Sequence, residues 1–146
     1  MTLDGAVPEG HATVVVQRRV EWPDTDAAGH YHHSTVVRWV EAAEAVLYSR
    51  LGISELFGRI PRVRYEVDYL DRLWFGDLVD VVFGVAELGR TSIRYAFEVR
   101  RNGAVAARGT MVAVCSDPTD GGTEAWPDDV RKLFTTAGAQ QPELIT

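Results

Sequence analysis

Val36, Val40, Ala43, Leu47 and Leu51 recur at steps of four, three, four and four, the spacing that lines one face of an α-helix. Val37 and Trp39 widen that stripe, while Arg38, Glu41, Glu44 and Arg50 form the polar side. The pattern predicts one long, half-buried helix. Its start falls between His33 and Thr35, and Gly52 ends it, because a residue without a Cβ accepts the positive φ of a helix C′ position.

Period-two patterns flank this helix. Before it, Val14, Val16, Val20 and Trp22 stand opposite Thr13, Gln17, Arg19 and Glu21 in a strand over 13–22, ended by Pro23, which has no amide hydrogen for a ladder. After it, Val63, Tyr65, Val67 and Tyr69 alternate with Arg62, Arg64, Glu66 and Asp68, predicting a strand with one wet face. Residues 78–86 are almost continuously apolar, as in a strand covered on both faces. Ile93, Tyr95, Phe97 and Val99 alternate in a fourth strand, and Asn102-Gly103, a pair that tolerates two positive φ angles, turns the chain into a fifth over 104–115. Trp126-Pro127-Asp128-Asp129 opens a short helix to Phe134, with proline and acids in the first turn, where unpaired N–H groups favour them. Residues 1–11 read as a loose arm and 136–146 as a flexible tail, leaving one domain over 12–135. Strand, long helix and four strands in mostly hairpin succession make an α+β architecture, a five-stranded antiparallel sheet wrapped around one helix.

Composition narrows the classes of function. A chain of 146 residues, 46% hydrophobic and 25% charged, is a globular domain able to bury about two-thirds of its unfolded surface. The net charge of −6 argues against nucleic acid as a partner, although local basic clusters can still hold a small anion. No apolar run is long enough to span a membrane, and the first residues lack the basic and apolar regions of a signal peptide. Cys115 is the single cysteine and sits in an apolar run, so no internal disulfide forms and a buried thiol is expected. A reduced, cytoplasmic setting follows.

Reactive side chains concentrate between the first strand and the long helix, in Asp24-Thr25-Asp26-Ala27-Ala28-Gly29 followed by His30, Tyr31, His32 and His33. By spacing alone, Asp26 is either a catalytic carboxylate or a loop aspartate that satisfies backbone amides, and His33 either a site residue or a solvated histidine near a helix end. His30 and His32 with the two aspartates invite a metal reading. The spacing lacks the HExxH or cysteine-rich pattern of a defined site, so neither metal nor cofactor is expected.

These features together resemble the hotdog-fold acyl-CoA thioesterases of the 4-hydroxybenzoyl-CoA thioesterase and YbgC-like type. The resemblance runs roughly from Val14 to Cys115, and its most specific part is the strand–Asp-x-Asp-x-x-Gly–helix signature met at Asp24–Gly29. Glu41 matches an acid often seen on the helix. Tyr65-Glu66-Val67-Asp68-Tyr69, Gly76-Asp77 and Gly89-Arg90-Thr91-Ser92 are similar to the family's strand starts and turns. The run His30–His32 departs from the family, which usually carries apolar or aromatic residues there.

The resemblance implies hydrolysis of an acyl-CoA or acyl-carrier thioester, an aromatic acyl group included, without metal or cofactor. It implies that Asp26 is the catalytic carboxylate, removing a proton from water or attacking the carbonyl itself. It places the amide of His33 at the substrate carbonyl, with the imidazole able to bond the thioester or orient water. Gly29 is expected beside the substrate. Trp22, Trp39, Tyr65 and Tyr69 are either pocket walls or plain core, and Glu41 either meets the far end of the acyl group or pairs with Arg38. Arg90 is the first candidate for the phosphates of coenzyme A, followed by Arg62, Arg64, Arg100 and Arg101. An open sheet edge implies at least a homodimer, with a homotetramer expected. Two readings compete: a hotdog hydratase or dehydratase acting on an enoyl or 3-hydroxyacyl thioester, which the placement of the aspartates argues against, and a non-catalytic carrier of acyl or aromatic ligands.

Overall fold

The structure is a computed structural model that describes residues 3–145; the ends of the expected arm and tail, at Met1, Thr2 and Thr146, lie outside the described residues. Five strands, β1 (Thr13–Arg19), β2 (Arg62–Tyr69), β3 (Leu78–Leu88), β4 (Ser92–Arg101) and β5 (Ala104–Val114), form one sheet in the order β1-β3-β4-β5-β2, every neighbouring pair antiparallel. The helix α1 (Thr35–Leu51) packs across β1 and β3 and buries Val36, Val40, Ala43 and Leu47, the apolar stripe read from the sequence. Gly52 ends it with φ +74, its amide donating to Ser49 O at 3.1 Å while Ile53 N donates to Tyr48 O at 3.0 Å. These two bonds satisfy carbonyls that the helix end leaves orphaned. A second helix, α2 (Asp128–Thr136), sets Phe134 against Tyr48 and Trp126 at the end of the core.

Three expectations need correction near the core. The first strand stops at Arg19, because Trp22-Pro23-Asp24 coil into a 3-10 turn closed by Glu21 and Asp24. The alternation in β2 fails at Val63, which is exposed: a bulge between Arg62 and Arg64 inserts one residue and turns Arg62 toward α1. Glu44, which helical spacing puts on the polar side, is fully buried and accepts a hydrogen bond from that same Arg62. Burial raises the pKa of Glu44 above the ordinary carboxylate range, opposed by the neighbouring Tyr95 hydroxyl and the Arg62 guanidinium. Tyr95 and Tyr48 share a hydrogen bond of 2.7 Å beside it.

The two chain ends are also less loose than their composition suggests. Leu3 packs on the outer face of the sheet against Val82, Ala86 and Ala96, so β3 is covered on both faces. The tail runs parallel to β1, with Gln140 N donating to Thr13 O and Gln17 N to Glu143 O, both at 2.8 Å. A strand edge offers unpaired amides and carbonyls to any extended segment, and here the chain's own end takes them. Among the described residues the opposite edge strand, β2, pairs only with β5.

Strand order also positions the site. The chain leaves β2 at one side of the sheet and must reach β3 on the other side of β4 and β5, so residues 70–77 cross the sheet's end. There they meet the connection from β1 to α1: Tyr31 N donates to Leu73 O at 2.8 Å and His30 bridges to Trp74.

Candidate active site

Asp24 and Asp26, two residues apart, have different environments. Asp24 is buried; its Oδ2 accepts from Glu21 N at 2.8 Å and its Oδ1 from Arg38 at 3.0 Å. Its carbonyl accepts from the Thr35 hydroxyl at 2.8 Å and from His32 N at 2.6 Å, which ties the loop to the first turn of α1. Asp26 is exposed, and its carboxylate accepts only the Ala28 amide, at 2.8 Å, among the described residues. Asp26 N donates to His30 O and Gly29 N to Asp26 O, both at 3.0 Å, so the loop closes on itself around Gly29, whose φ of +90 suits a residue without a side chain. The Trp74 ring covers that glycine at 3.6 Å from where a Cβ would stand.

Asp26, His30, Tyr31 and His33 form one wall of a cleft of about 570 Å³. Tyr69, Leu70, Asp71 and Arg72, from the end of β2 and the crossing segment, form the other. Tyr31 is the buried floor: it stacks on Trp39 at 6.4 Å and donates its hydroxyl to Asp71 O at 2.9 Å. Burial, with Tyr69 and Asp71 adding to it, pushes the Tyr31 pKa up to about 12, so this hydroxyl stays a donor. His32 turns away; its Nδ1 accepts from Ser34 N at 3.1 Å, which fixes the start of α1. His33 is exposed, its ring 4.0 Å from that of His32, and its carbonyl accepts the Tyr69 hydroxyl. The His33 amide, just ahead of the helix, has no backbone acceptor among the described residues. A carboxylate and an imidazole therefore share one cleft, and the His33 amide, without a backbone acceptor among the described residues, stands just ahead of the positive end of a helix dipole, a set of groups suited to adding an oxygen nucleophile to a carbonyl and holding the resulting oxyanion.

Residues 20–134 match the sequence profile of the Thioesterase-like superfamily. The chain belongs to that superfamily. Solved structures agree with the assignment. A predicted thioesterase from Bacillus stearothermophilus is 30% identical, with 84% of this chain and 93% of that one covered and a TM-score of 0.77. A thioesterase from Thermus thermophilus, solved with coenzyme A and Zn, is 30% identical over 87% of this chain and 94% of that one, also at a TM-score of 0.77. A gentisyl-coenzyme A thioesterase is 27% identical over 82% and 98% of the two chains, at a TM-score of 0.72. No curated protein matches the chain. The fold is the hotdog fold, and the protein is a thioester hydrolase.

The residues expected in this thioesterase's site divide into groups. Asp26 and His33 share the cleft, with Gly29 in the loop behind them. Trp22 is 76% exposed and packs edge-on against Phe75 rather than lining the cleft, because the 3-10 turn swings it outward. Glu41 faces Arg62 Nε at 3.5 Å, not Arg38, whose partner is Asp24. Tyr65 stacks on Phe97 at 5.8 Å, and its buried hydroxyl has no hydrogen-bond partner among the described residues. Arg90 lies at the other end of the sheet, in a depression of about 350 Å³ beside Trp126 and Arg131. The two ends of β5 measure that separation, since Leu70 near the cleft bonds Ala106 while Ser92 near Arg90 pairs with Val114.

Sequence reasoning did not place Tyr31, Asp71 and Arg72 in this thioesterase's cleft. Tyr31 had a signal, being an aromatic residue where the family carries apolar or aromatic ones. Asp71 and Arg72 reach the cleft only through strand order. Among the described residues no group of three or more His, Cys, Asp or Glu side chains is arranged to hold a metal ion, and no helix is long and apolar enough to cross a membrane. Cys115 is buried, which raises its thiol pKa, and it lies outside the cleft.

Proposed function

We propose that this thioesterase hydrolyses an acyl-CoA, an aromatic acyl-CoA included, with Asp26 as the catalytic carboxylate. The supporting observation is the division of labour in the loop: Asp24 is consumed in holding the fold, whereas Asp26 faces the cleft with its carboxylate accepting one backbone amide. Ionised Asp26 either takes a proton from a water that attacks the thioester carbonyl, or attacks that carbonyl to give a mixed anhydride that water then opens. Charge develops on the carbonyl oxygen in both routes, and the His33 amide, which has no backbone acceptor among the described residues, is the donor assigned to receive it. The coenzyme leaves as a thiolate, which needs little acid help because a thiol's pKa is about 8.5.

The buried Tyr31 floor and its Trp39 neighbour suit a flat acyl group, which favours aromatic substrates over long aliphatic ones. The relatives solved with coenzyme A and named for gentisyl-coenzyme A support a coenzyme A thioester over a carrier-protein one. The assembly is a homo-oligomer, at least a dimer. The edge of β1 is occupied by the tail whereas that of β2 is open, with Val63 and Tyr69 exposed along it, so a second copy adds there. A reducing cytoplasmic setting keeps Cys115 a thiol.

The test is thiol release from matched aromatic, short-chain and long-chain acyl-CoAs, with the mass in solution measured by sedimentation. Turnover of the aromatic class by a dimer or tetramer is expected. No thiol release from any of the three classes would overturn the substrate reading, and a monomer turning over at full rate would overturn the assembly.

A further inference from the structure

Among the described residues, eleven of the fourteen arginine side chains hold a carboxylate or a carbonyl of the chain, and three have no partner: Arg72, Arg90 and Arg108. Arg90 is at the end of the sheet remote from Asp26. Arg108 lies on the outer sheet face, opposite Asp68 on β2 and Glu98 on β4 in register, and does not line the cleft that holds Asp26. Arg72 is different: it is exposed at the rim of the cleft that holds Asp26 and is the one arginine or lysine among the described residues of its walls, beside the imidazoles of His30 and His33. The acid beside it does not satisfy it. Asp71 accepts the Arg72 backbone amide at 2.8 Å through Oδ1 and turns Oδ2 toward Arg101, 3.9 Å away.

We infer that Arg72 binds an oxyanion of the thioester substrate at the cleft rim. The inference rests on the acyl-thioester reading above and extends it to a residue that supplies affinity. A guanidinium presents a rigid fork of N–H donors matched to phosphate and carboxylate, and an unpaired one on a surface rim retains its full bonding capacity for a ligand. The need for it is electrostatic. The chain carries a net charge of −6, and the cleft itself contains Asp26 and Asp71, so a polyanionic substrate meets repulsion at this mouth unless a cation stands there. The oxyanion has two possible sources, a phosphate of the coenzyme or a carboxylate on the acyl group.

Four thioesters separate these sources: a neutral and a carboxylated acyl group, each carried on coenzyme A and on N-acetylcysteamine, which lacks phosphates. Steady-state kinetics of the wild-type protein, Arg72→Gln and Arg72→Lys are compared on all four. The expected result is a KM raised about tenfold to a hundredfold in Arg72→Gln for substrates bearing the oxyanion, with kcat within about twofold and partial recovery in Arg72→Lys. A rise confined to both coenzyme A thioesters assigns the phosphate; a rise confined to both carboxylated acyl groups assigns the carboxylate. If wild type turns substrates over and Arg72→Gln matches it on all four, or loses equally on all four including the neutral truncated thioester, the assignment to Arg72 is overturned alone. If wild type turns over none of them, the thioesterase reading fails and takes this inference with it.

Discussion

Replacing Arg62 by methionine leaves a carboxylate in the core with no cation. Glu44 is fully buried beside the Tyr95 hydroxyl, its Oε1 is held by Arg62, and its Oε2 has no hydrogen-bond partner among the described residues. Removing one member of a buried pair costs about 3–5 kcal/mol because the other charge is left uncompensated. The Arg62 side chain is 26% exposed, so water already screens part of the pair and the lower end, about 3 kcal/mol at pH 8, is expected. For a domain of this size that lowers the thermal midpoint by roughly 10 °C. The loss depends on pH with a definite sign. Burial raises the folded pKa of Glu44 above the unfolded value of about 4.3, so stability from this group is greatest below that value and is lost as pH rises through the raised folded pKa. Without Arg62 the folded pKa rises further, and the penalty shrinks as pH falls toward 5, where Glu44 is increasingly neutral. Urea unfolding at pH 8 and pH 5 reads both quantities. The double variant Glu44→Leu/Arg62→Met should return to within about 1 kcal/mol of wild type, because apolar replacement of both partners removes the desolvation cost. Equal losses at the two pH values, or a double variant no better than Arg62→Met alone, would refute the uncompensated-charge account.

Two further variants test the site's support. Tyr69→Phe removes the hydroxyl that Tyr69 donates to the His33 carbonyl; it should lower stability by only about 1 kcal/mol while reducing kcat severalfold, as seen by chemical denaturation and thiol release on the same preparation. Ending the chain after Gly138 removes the segment that covers β1, so the Gln17 amide, now bonded to Glu143 O at 2.8 Å, should lose its protection in hydrogen exchange, and the protein should gain higher oligomers in sedimentation.

Much of this fold was legible in residue order. The steps of four and three in α1, the Gly52 stop and the Asn102-Gly103 turn are local signals, and the structure uses each, with φ +52 at Asn102 and +82 at Gly103. The loop carrying Asp26 and His33 was legible for the same reason, since both lie within a short stretch ahead of one helix. What failed depended on partners distant in sequence. Helical spacing gives Glu44 a polar neighbour set, yet a bulge in β2 turns Arg62 inward to meet it. The same bulge exposes Val63, whose place in an alternating run gave no warning. Leu3 and the tail looked unanchored because the outer sheet face and the β1 edge that hold them exist only after the strands pair. Arg90 attracted attention through its turn, whereas Arg72 reaches the cleft because β2 lies at the far side of the sheet and the chain must cross back to β3.

The most direct test of the catalytic assignment is kcat for Asp26→Asn on a thioester that the wild-type protein turns over, with binding of the same thioester measured separately. Asparagine keeps the Oδ1 that accepts the Ala28 amide at 2.8 Å, so the loop and the thermal midpoint should be preserved while the charge is lost. A fall in kcat of at least about a hundredfold with substrate binding retained is expected. An Asp26→Asn enzyme that binds and turns over substrate at the wild-type rate would contradict the catalytic assignment.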